Sequence, residues 1–318
     1  MVCSFGHGYA GQQDYPAIGV GDWLTVAANV PEAGYRKTDF YRRDYNVAEI
    51  QWDSRLELWL PPFKGRFSWG PYIKAAGIAQ SATMAYPNGW LGGPGGGFQV
   101  YPFSSTRFRT PTSKVGAVFG PLRLFSEYNR INFWGSENSW RPRSQIRAGI
   151  EYWKAVNVND PAVFWWAELW TGLYWQSSNE FTAHYDSVVF ANAWRSGIRK
   201  PRSGLISLVT PYLAIISSRT KYNRTGTQDC GFQPTADNPQ NPCNFYWENR
   251  LLVGGGFRFA PRLPKASLSR QAWLSRLVVY GEYLNTAAYY GPHVPSSVPR
   301  FDVSVGLSAS VGDWYSRR

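Results

Sequence analysis

Five glutamates, Glu127, Glu151, Glu168, Glu248 and Glu282, are the side chains of this 318-residue sequence best suited to acid–base work. Paired carboxylates of this kind could hydrolyse a glycosidic bond. Each, however, has an arginine close by in the pattern, which points to ion pairs and not to a carboxylate couple. His184, in "FTAHYDS" beside Asp186 and Ser187, is the one histidine with nucleophile-type neighbours. A serine–histidine pair is defined by geometry, and successive strand residues point to opposite faces, so His184 and Ser187 share no face if both lie in one strand. Cys230 and Cys243 bracket "DCGFQPTADNPQNPC". A disulfide there would close a small loop in an oxidising compartment, the other reading being two free thiols. No third or fourth ligand stands at a spacing that would hold zinc, so no metal site is expected, and no cofactor. "GGPGGG" at 92–97 lacks the lysine–serine ending and the following helix of a phosphate loop. It reads as a flexible outer loop.

The elements that position these groups show in "VFWWAELWTGLYW", residues 163–175. Its odd positions, Val163 to Trp175, are apolar or nearly so. Its even positions, Trp166, Glu168, Trp170 and Tyr174 among them, mix rings with hydrogen-bonding groups. A period of two marks a strand. Trp165 and Trp175 stand ten residues apart on the apolar face, roughly 33 Å at ~3.3 Å per residue. Tilted by ~40°, such a strand spans about 25 Å, the height of the apolar band of a transmembrane β-barrel between its aromatic girdles.

The alternation recurs in "QWDSRLELWL", "QIRAGIEYWKAV", "FYWENRLLVGGGFRF" and "FDVSVGLSASVGDW". Less regular strands fall near 22–30, 71–82, 97–105, 115–134, 186–199, 205–219 and 273–290, which with 162–176 makes twelve. Helical periodicity is absent. Pro102, Pro121 and Pro211 interrupt three of these segments and mark bulges or strand boundaries. The expected fold is all-β: a single transmembrane antiparallel up-and-down barrel of twelve strands, residues 21–318, behind a leader remnant or flexible periplasmic N-terminus, 1–20. Counted back from the C-terminus, 31–50, 83–96, 135–144, 177–185, 220–244 and 291–299 form the outer loops and the alternate set the short periplasmic turns, with 261–272 as the long exception.

Composition agrees. Aromatic residues make up 17% and net charge is +12. No run of 18 apolar residues exists, which excludes helical membrane spans and leaves barrel strands untouched. The arginines are spread through the strands and not clustered, which argues against nucleic acid. A soluble sandwich would carry lysine, threonine and serine freely on its polar face. Here that face carries arginine and glutamate beside tryptophan, tyrosine and glycine, with only eight lysines in the chain. The expected lumen residues are Arg55, Glu57, Trp59, Arg123, Glu127, Arg147, Glu151, Trp153, Trp166, Glu168, Trp170, Arg195, Arg199, Glu248, Arg250, Arg258, Arg276 and Glu282. Arg123/Glu127 and Arg147/Glu151 lie two same-face positions apart and can pair within or across strands. Trp165, Trp175, Trp247 and Trp314 are the expected girdle.

Two stretches, "RLFSEYNRINFWGSENSWRPRSQIRAGIEYW" and "GLYWQSSNEFTAHYDSVVFANAWRSGIR", carry a resemblance. Over roughly 115–200 the chain resembles the C-terminal barrel of the bacteriophage adsorption protein A family and related barrels of exopolysaccharide secretion. The resemblance implies a bacterial outer-membrane conduit for a glycan, with a separate periplasmic partner. Tryptophan faces would stack on sugar rings while Arg and Glu bind hydroxyl edges, and a row of weak sites lets a chain slide. Net positive charge favours acidic glycans. The expected function is therefore polysaccharide export in contact with outer-membrane lipid. The alternatives are a passive porin for anionic oligosaccharides and a lipid hydrolase centred on His184.

Overall fold

The computed structural model describes residues 18–19, 24–38, 45–63, 67–81, 89–103, 114–134, 143–157, 163–180, 183–198, 209–225, 246–259, 277–290 and 300–311. The strands are β1 (Ile18–Gly19), β2 (Leu24–Thr38), β3 (Tyr45–Leu58), β4 (Leu60–Phe63), β5 (Phe67–Gln80), β6 (Gly89–Tyr101), β7 (Leu122–Trp134), β8 (Arg143–Val156), β9 (Trp165–Glu180), β10 (Ala183–Ile198), β11 (Val209–Thr225), β12 (Tyr246–Phe259), β13 (Leu277–Tyr290) and β14 (Phe301–Val311). Every pairing is antiparallel, and β2 bonds to both β14 and β3, so the sheet closes on itself. β4 continues β3 past Trp59, and β1 is a two-residue flap on β2. Setting those two pieces aside, 14 − 2 leaves twelve barrel strands, as expected.

The wall is apolar outside and charged inside. Outward positions include Ile73, Leu173 and Leu213, 62%, 48% and 66% exposed, with Trp165 and Trp175 on the same surface. Inward positions include Arg55, Arg123, Glu127, Glu168 and Arg195, all buried. Closure is what permits this arrangement in lipid, because every backbone N–H and C=O of the span must bond within the wall. Architecture and polarity together are those of a membrane-spanning barrel.

Three expectations are corrected. "GGPGGG" is not a loop: Gly92–Gly97 lie inside β6, paired with β5 and β7. Two of the glycines lie beneath larger side chains of neighbouring strands, Gly97 beneath Tyr72 and Gly95 beneath Asn129. A Cβ on Gly97 would stand 2.8 Å from the Tyr72 hydroxyl and collide with the Ser126 carbonyl. The strand expected over 115–134 divides into a short helix, α1 (Lys114–Phe119), and β7, with Pro121 at the junction. The Tyr152 hydroxyl, on β8, donates to the Val118 carbonyl at 3.0 Å and ties α1 to the wall. Lastly, β2, β9, β10 and β11 run well into the expected outer loops 31–50, 177–185 and 220–244, leaving only 181–182 between β9 and β10. The long connection between β12 and β13 is the exception already visible at 261–272 in the sequence. Pro211 causes no bulge. It sits third in β11, one residue beyond the last position paired with β10, where its missing N–H costs no ladder bond.

Arg199, Arg276, Trp314, Cys230 and Cys243 lie outside the described residues, as do the side chains of His184, Trp247 and Glu248.

Two outcomes follow. Leu173→Arg, in the middle of β9's outer face, should destabilise the barrel by about 2–4 kcal/mol, measured by denaturant unfolding in lipid vesicles. Gly97→Val should fail to give the heat-modifiable folded band on a gel, while Gly97→Ala should give it weakly.

Candidate functional site: the charged lumen

Two carboxylate-centred clusters occupy the lumen. In the first, Glu127 on β7 accepts from the Tyr72 hydroxyl at 2.7 Å and the Lys74 ammonium at 2.9 Å, both from β5. It also accepts from Arg147 on β8 at 3.1 Å and from Asn129 at 3.3 Å. Next to it Arg123 donates to Glu151 at 2.7 Å and to Gln99 at 3.0 Å. The strand register explains the pairing: Arg123 stands opposite Glu151 and Glu127 opposite Arg147, so each arginine meets the neighbouring strand's carboxylate and not its own. Rings fill the gaps. The Arg147 guanidinium lies 4.3 Å from the Tyr174 ring centre and that of Arg123 4.9 Å from Phe125, close enough for cation–π attraction.

The second cluster reaches further around the wall. Arg195 on β10 makes a bidentate pair with Glu282 on β13 at 2.6 and 3.0 Å, and Arg258 on β12 another with Glu168 on β9 at 3.0 and 2.5 Å. The two pairs cross, and Arg195 Nη1 also approaches Glu168 at 3.7 Å. The Tyr212 hydroxyl completes the set, donating to Glu282 at 2.9 Å. Bidentate guanidinium–carboxylate forks are the strongest and most directional of such contacts. A third pair, Arg36 with Asp302, joins β2 to β14 at 2.8 and 2.6 Å.

All the expected lumen residues whose side chains are described face inward, and the arginine companions expected for Glu127, Glu151, Glu168 and Glu282 are found. The aromatic residues are placed differently from sugar platforms. Trp166 and Trp170 are 1% and 2% exposed. Arg258 lies 4.8 Å over the Trp166 ring and Tyr212 packs edge-on at 5.6 Å. Trp59 packs against Tyr101 at 5.8 Å. Their faces are covered by neighbours from the same wall. His184 and Ser187 both fall within β10, three positions apart, so the strand sets these positions on opposite sides of the sheet; the Ser187 side chain is buried.

Several members of the site were not singled out in the sequence. Tyr72, Lys74 and Gln99 lie on the polar face of strands that were expected, and their parity alone could have found them. Arg36 lay in a segment read as a loop. Tyr212 stands beside Pro211, which had made that strand look interrupted.

No protein-family model and no curated protein sequence matches the chain. The resemblance to the adsorption protein A family therefore stands on the two quoted stretches alone. Among solved structures the chain is similar to an outer membrane channel from Pseudomonas putida F1, with 11% identity, a TM-score of 0.42 and coverage of 94% of this chain and 98% of that one. It is similar to the β domain of the Bordetella autotransporter Brka at 10% identity, TM-score 0.39, covering 91% and 100%. LpxR from Salmonella typhimurium follows at 8%, 0.34, and 89% and 99%. Likenesses at this level of identity and superposition say nothing about role or substrate.

Removing one member of a buried pair leaves an uncompensated charge, at a cost of roughly 3–5 kcal/mol, whereas replacing both by apolar residues is near neutral. Glu282→Ala, which removes both bonds of the Arg195 fork and the acceptor of the Tyr212 hydroxyl, should therefore lower stability by about that amount. Arg195→Met with Glu282→Leu should recover most of it. Denaturant unfolding of the parent and the two variants in one lipid checks both.

Proposed function

We propose that the chain is a bacterial outer-membrane channel for small anionic solutes, acidic oligosaccharides above all, passing through a lumen whose accessible charges are guanidinium groups. One observation carries this reading. Among the described ion pairs the two most exposed charged side chains are Arg258 and Arg147, at 16% and 15%, while their partners Glu168 and Glu127 are at 4% and 2%. In these two pairs the carboxylates sit behind the arginines, and a solute in the bore meets the cations first. The cation is also the more exposed member in the Arg36–Asp302 and Lys74–Glu127 pairs, whereas Asp53, Glu151 and Glu282 are more exposed than their partners Arg55, Arg123 and Arg195. A net charge of +12 deepens the same bias.

The filled interior favours small solutes over an extended polysaccharide. Sliding of a long chain needs a continuous row of open ring faces, and those of Trp166 and Trp59 are occupied from within. Export of a polysaccharide, the role implied by the family resemblance, would require those rings to be uncovered, by a partner or by movement of the wall.

Arg147→Gln with Arg258→Gln is the informative variant, because Glu127 keeps Lys74 and Glu168 keeps Arg195. In planar bilayers under a potassium chloride gradient, the parent should give a reversal potential favouring chloride and the double variant one shifted towards potassium. A short oligogalacturonate should block the parent's current at lower concentration than a neutral maltooligosaccharide of equal length. An unshifted reversal potential would remove the reading.

A further inference from the structure

The two lumen clusters share more than chemistry. β5 carries Pro71–Tyr72 and β11 carries Pro211–Tyr212. β6 carries "GGGF", Gly95 to Phe98, and β12 carries "GGGF", Gly254 to Phe257. β7 carries Glu127–Tyr128 and β13 carries Glu282–Tyr283. The register aligns these matches. Tyr72 pairs with Gly97 and Gly97 with Glu127; Tyr212 pairs with Gly256 and Gly256 with Glu282. On the preceding strand of each set Arg55 stands opposite Lys74 and Arg195 opposite Ala214, in both cases two positions past the tyrosine.

The side chains repeat as well. Each tyrosine crosses over a glycine of the middle strand to reach the glutamate of the third, at 2.7 Å in one set and 2.9 Å in the other. A Cβ on Gly97 or on Gly256 would stand 2.8 Å from the corresponding hydroxyl. In the closed order of twelve strands β11 lies six places from β5, half the circumference.

The rest of the wall keeps the same step. From Tyr72 the pairs run through Gly97, Glu127, Arg147, Gln176 and Ser187 to Tyr222, and 222 − 212 is 10 positions past Tyr212. From Tyr212 they run through Gly256, Glu282, Ser304 and Arg36 to Val47. The parallel walk from Thr210, two positions before Tyr212, runs through Arg258, Tyr280, Gly306, Gly34 and Glu49 to Gln80; Gly70 lies two positions before Tyr72, and 80 − 70 is again 10. Equal displacement in each half is what a twofold axis along the barrel requires.

We infer that the barrel is a tandem repeat of a six-stranded unit, and that Tyr72–Glu127 and Tyr212–Glu282 are matched posts on opposite walls at one level, forming the constriction through which solute passes. The constriction rests on the channel reading above; the matching of the posts does not. The repeat also explains how the clusters differ. Lys74 supplies a cation to Glu127 from β5. The equivalent position is Ala214, fully buried and small, and over it Arg195 extends from β10 to supply the cation to Glu282. One post is charged from its own tyrosine's strand, the other from the strand before it.

The full-length protein is tested in planar bilayers as Tyr72→Ala, Tyr212→Ala and the double variant, with heat-modifiable migration as the check on folding. Each single variant should raise the unitary conductance by a comparable factor, and the double by more than either. Tyr72→Phe and Tyr212→Phe keep the ring and remove only the bond to the glutamate, and should lower the temperature of the heat-modifiable transition by similar amounts. A conducting parent with only one responsive tyrosine, or none, overturns the paired constriction. A parent that inserts without conducting removes the channel reading and the constriction with it. Unequal shifts in the two phenylalanine variants overturn the matched posts.

Discussion

A charge enclosed by a barrel wall that is itself surrounded by lipid has to find its counter-charge within the same barrel, and most of the lumen pairs here find it on another strand. That constraint organises this protein. Among the described residues the partners of the side chains at mid-wall come from the strands themselves, and most of these side chains are buried. Arg195 therefore spans from β10 to β13 and Arg258 from β12 back to β9, so that their pairs with Glu282 and Glu168 cross. Such pairs are weak contributors to net stability and strong determinants of which strand sits beside which. A slip of one residue between β7 and β8 would separate Arg123 from Glu151 and Glu127 from Arg147 together.

Room for these long side chains comes from residues that have little or none. Inward glycines on β6 and β12 lie beneath Tyr72 and Tyr212, and Gly197 on β10 lies beneath the Trp166 indole. Large over small across neighbouring strands is how a narrow barrel fills its interior without voids. It also explains an aromatic content of 17% in a chain whose lumen is polar. About half of the ring-bearing positions of β9 face outward to lipid, while Trp166, Trp170 and Tyr174 pack the lumen around the ion pairs.

The repeat and the exposure of Arg147 and Arg258 bear on function in different ways. Symmetry sets two equivalent posts opposite each other. The departures from symmetry decide the electrostatics, because Arg147 is matched by Ser304 and Arg258 by Gln99 across the axis. The half-barrels share their scaffold, and the accessible cations lie at positions the repeat does not preserve.

The strand count, the inside-out polarity and the lumen membership of Arg55, Arg123, Glu127, Arg147, Glu151, Glu168, Arg195, Arg258 and Glu282 were all legible from alternation with a period of two. They are properties of one strand at a time, and a face can be read along a single segment. The connections were less legible, because polar strand ends such as "SSNEFTAHYDS" look like loops until a partner strand is known. "GGPGGG" was misread for a related reason: glycine weakens a strand in isolation, and only the crossing of Tyr72 and Asn129 from neighbouring strands makes it necessary. Register belongs to no single strand. Whether Glu127 meets Arg123 or Arg147, whether an indole lies open to a sugar or beneath a guanidinium, and that Tyr72 and Tyr212 are equivalent were decided only when twelve strands closed in one alignment, since each of these contacts joins residues that the sequence holds far apart.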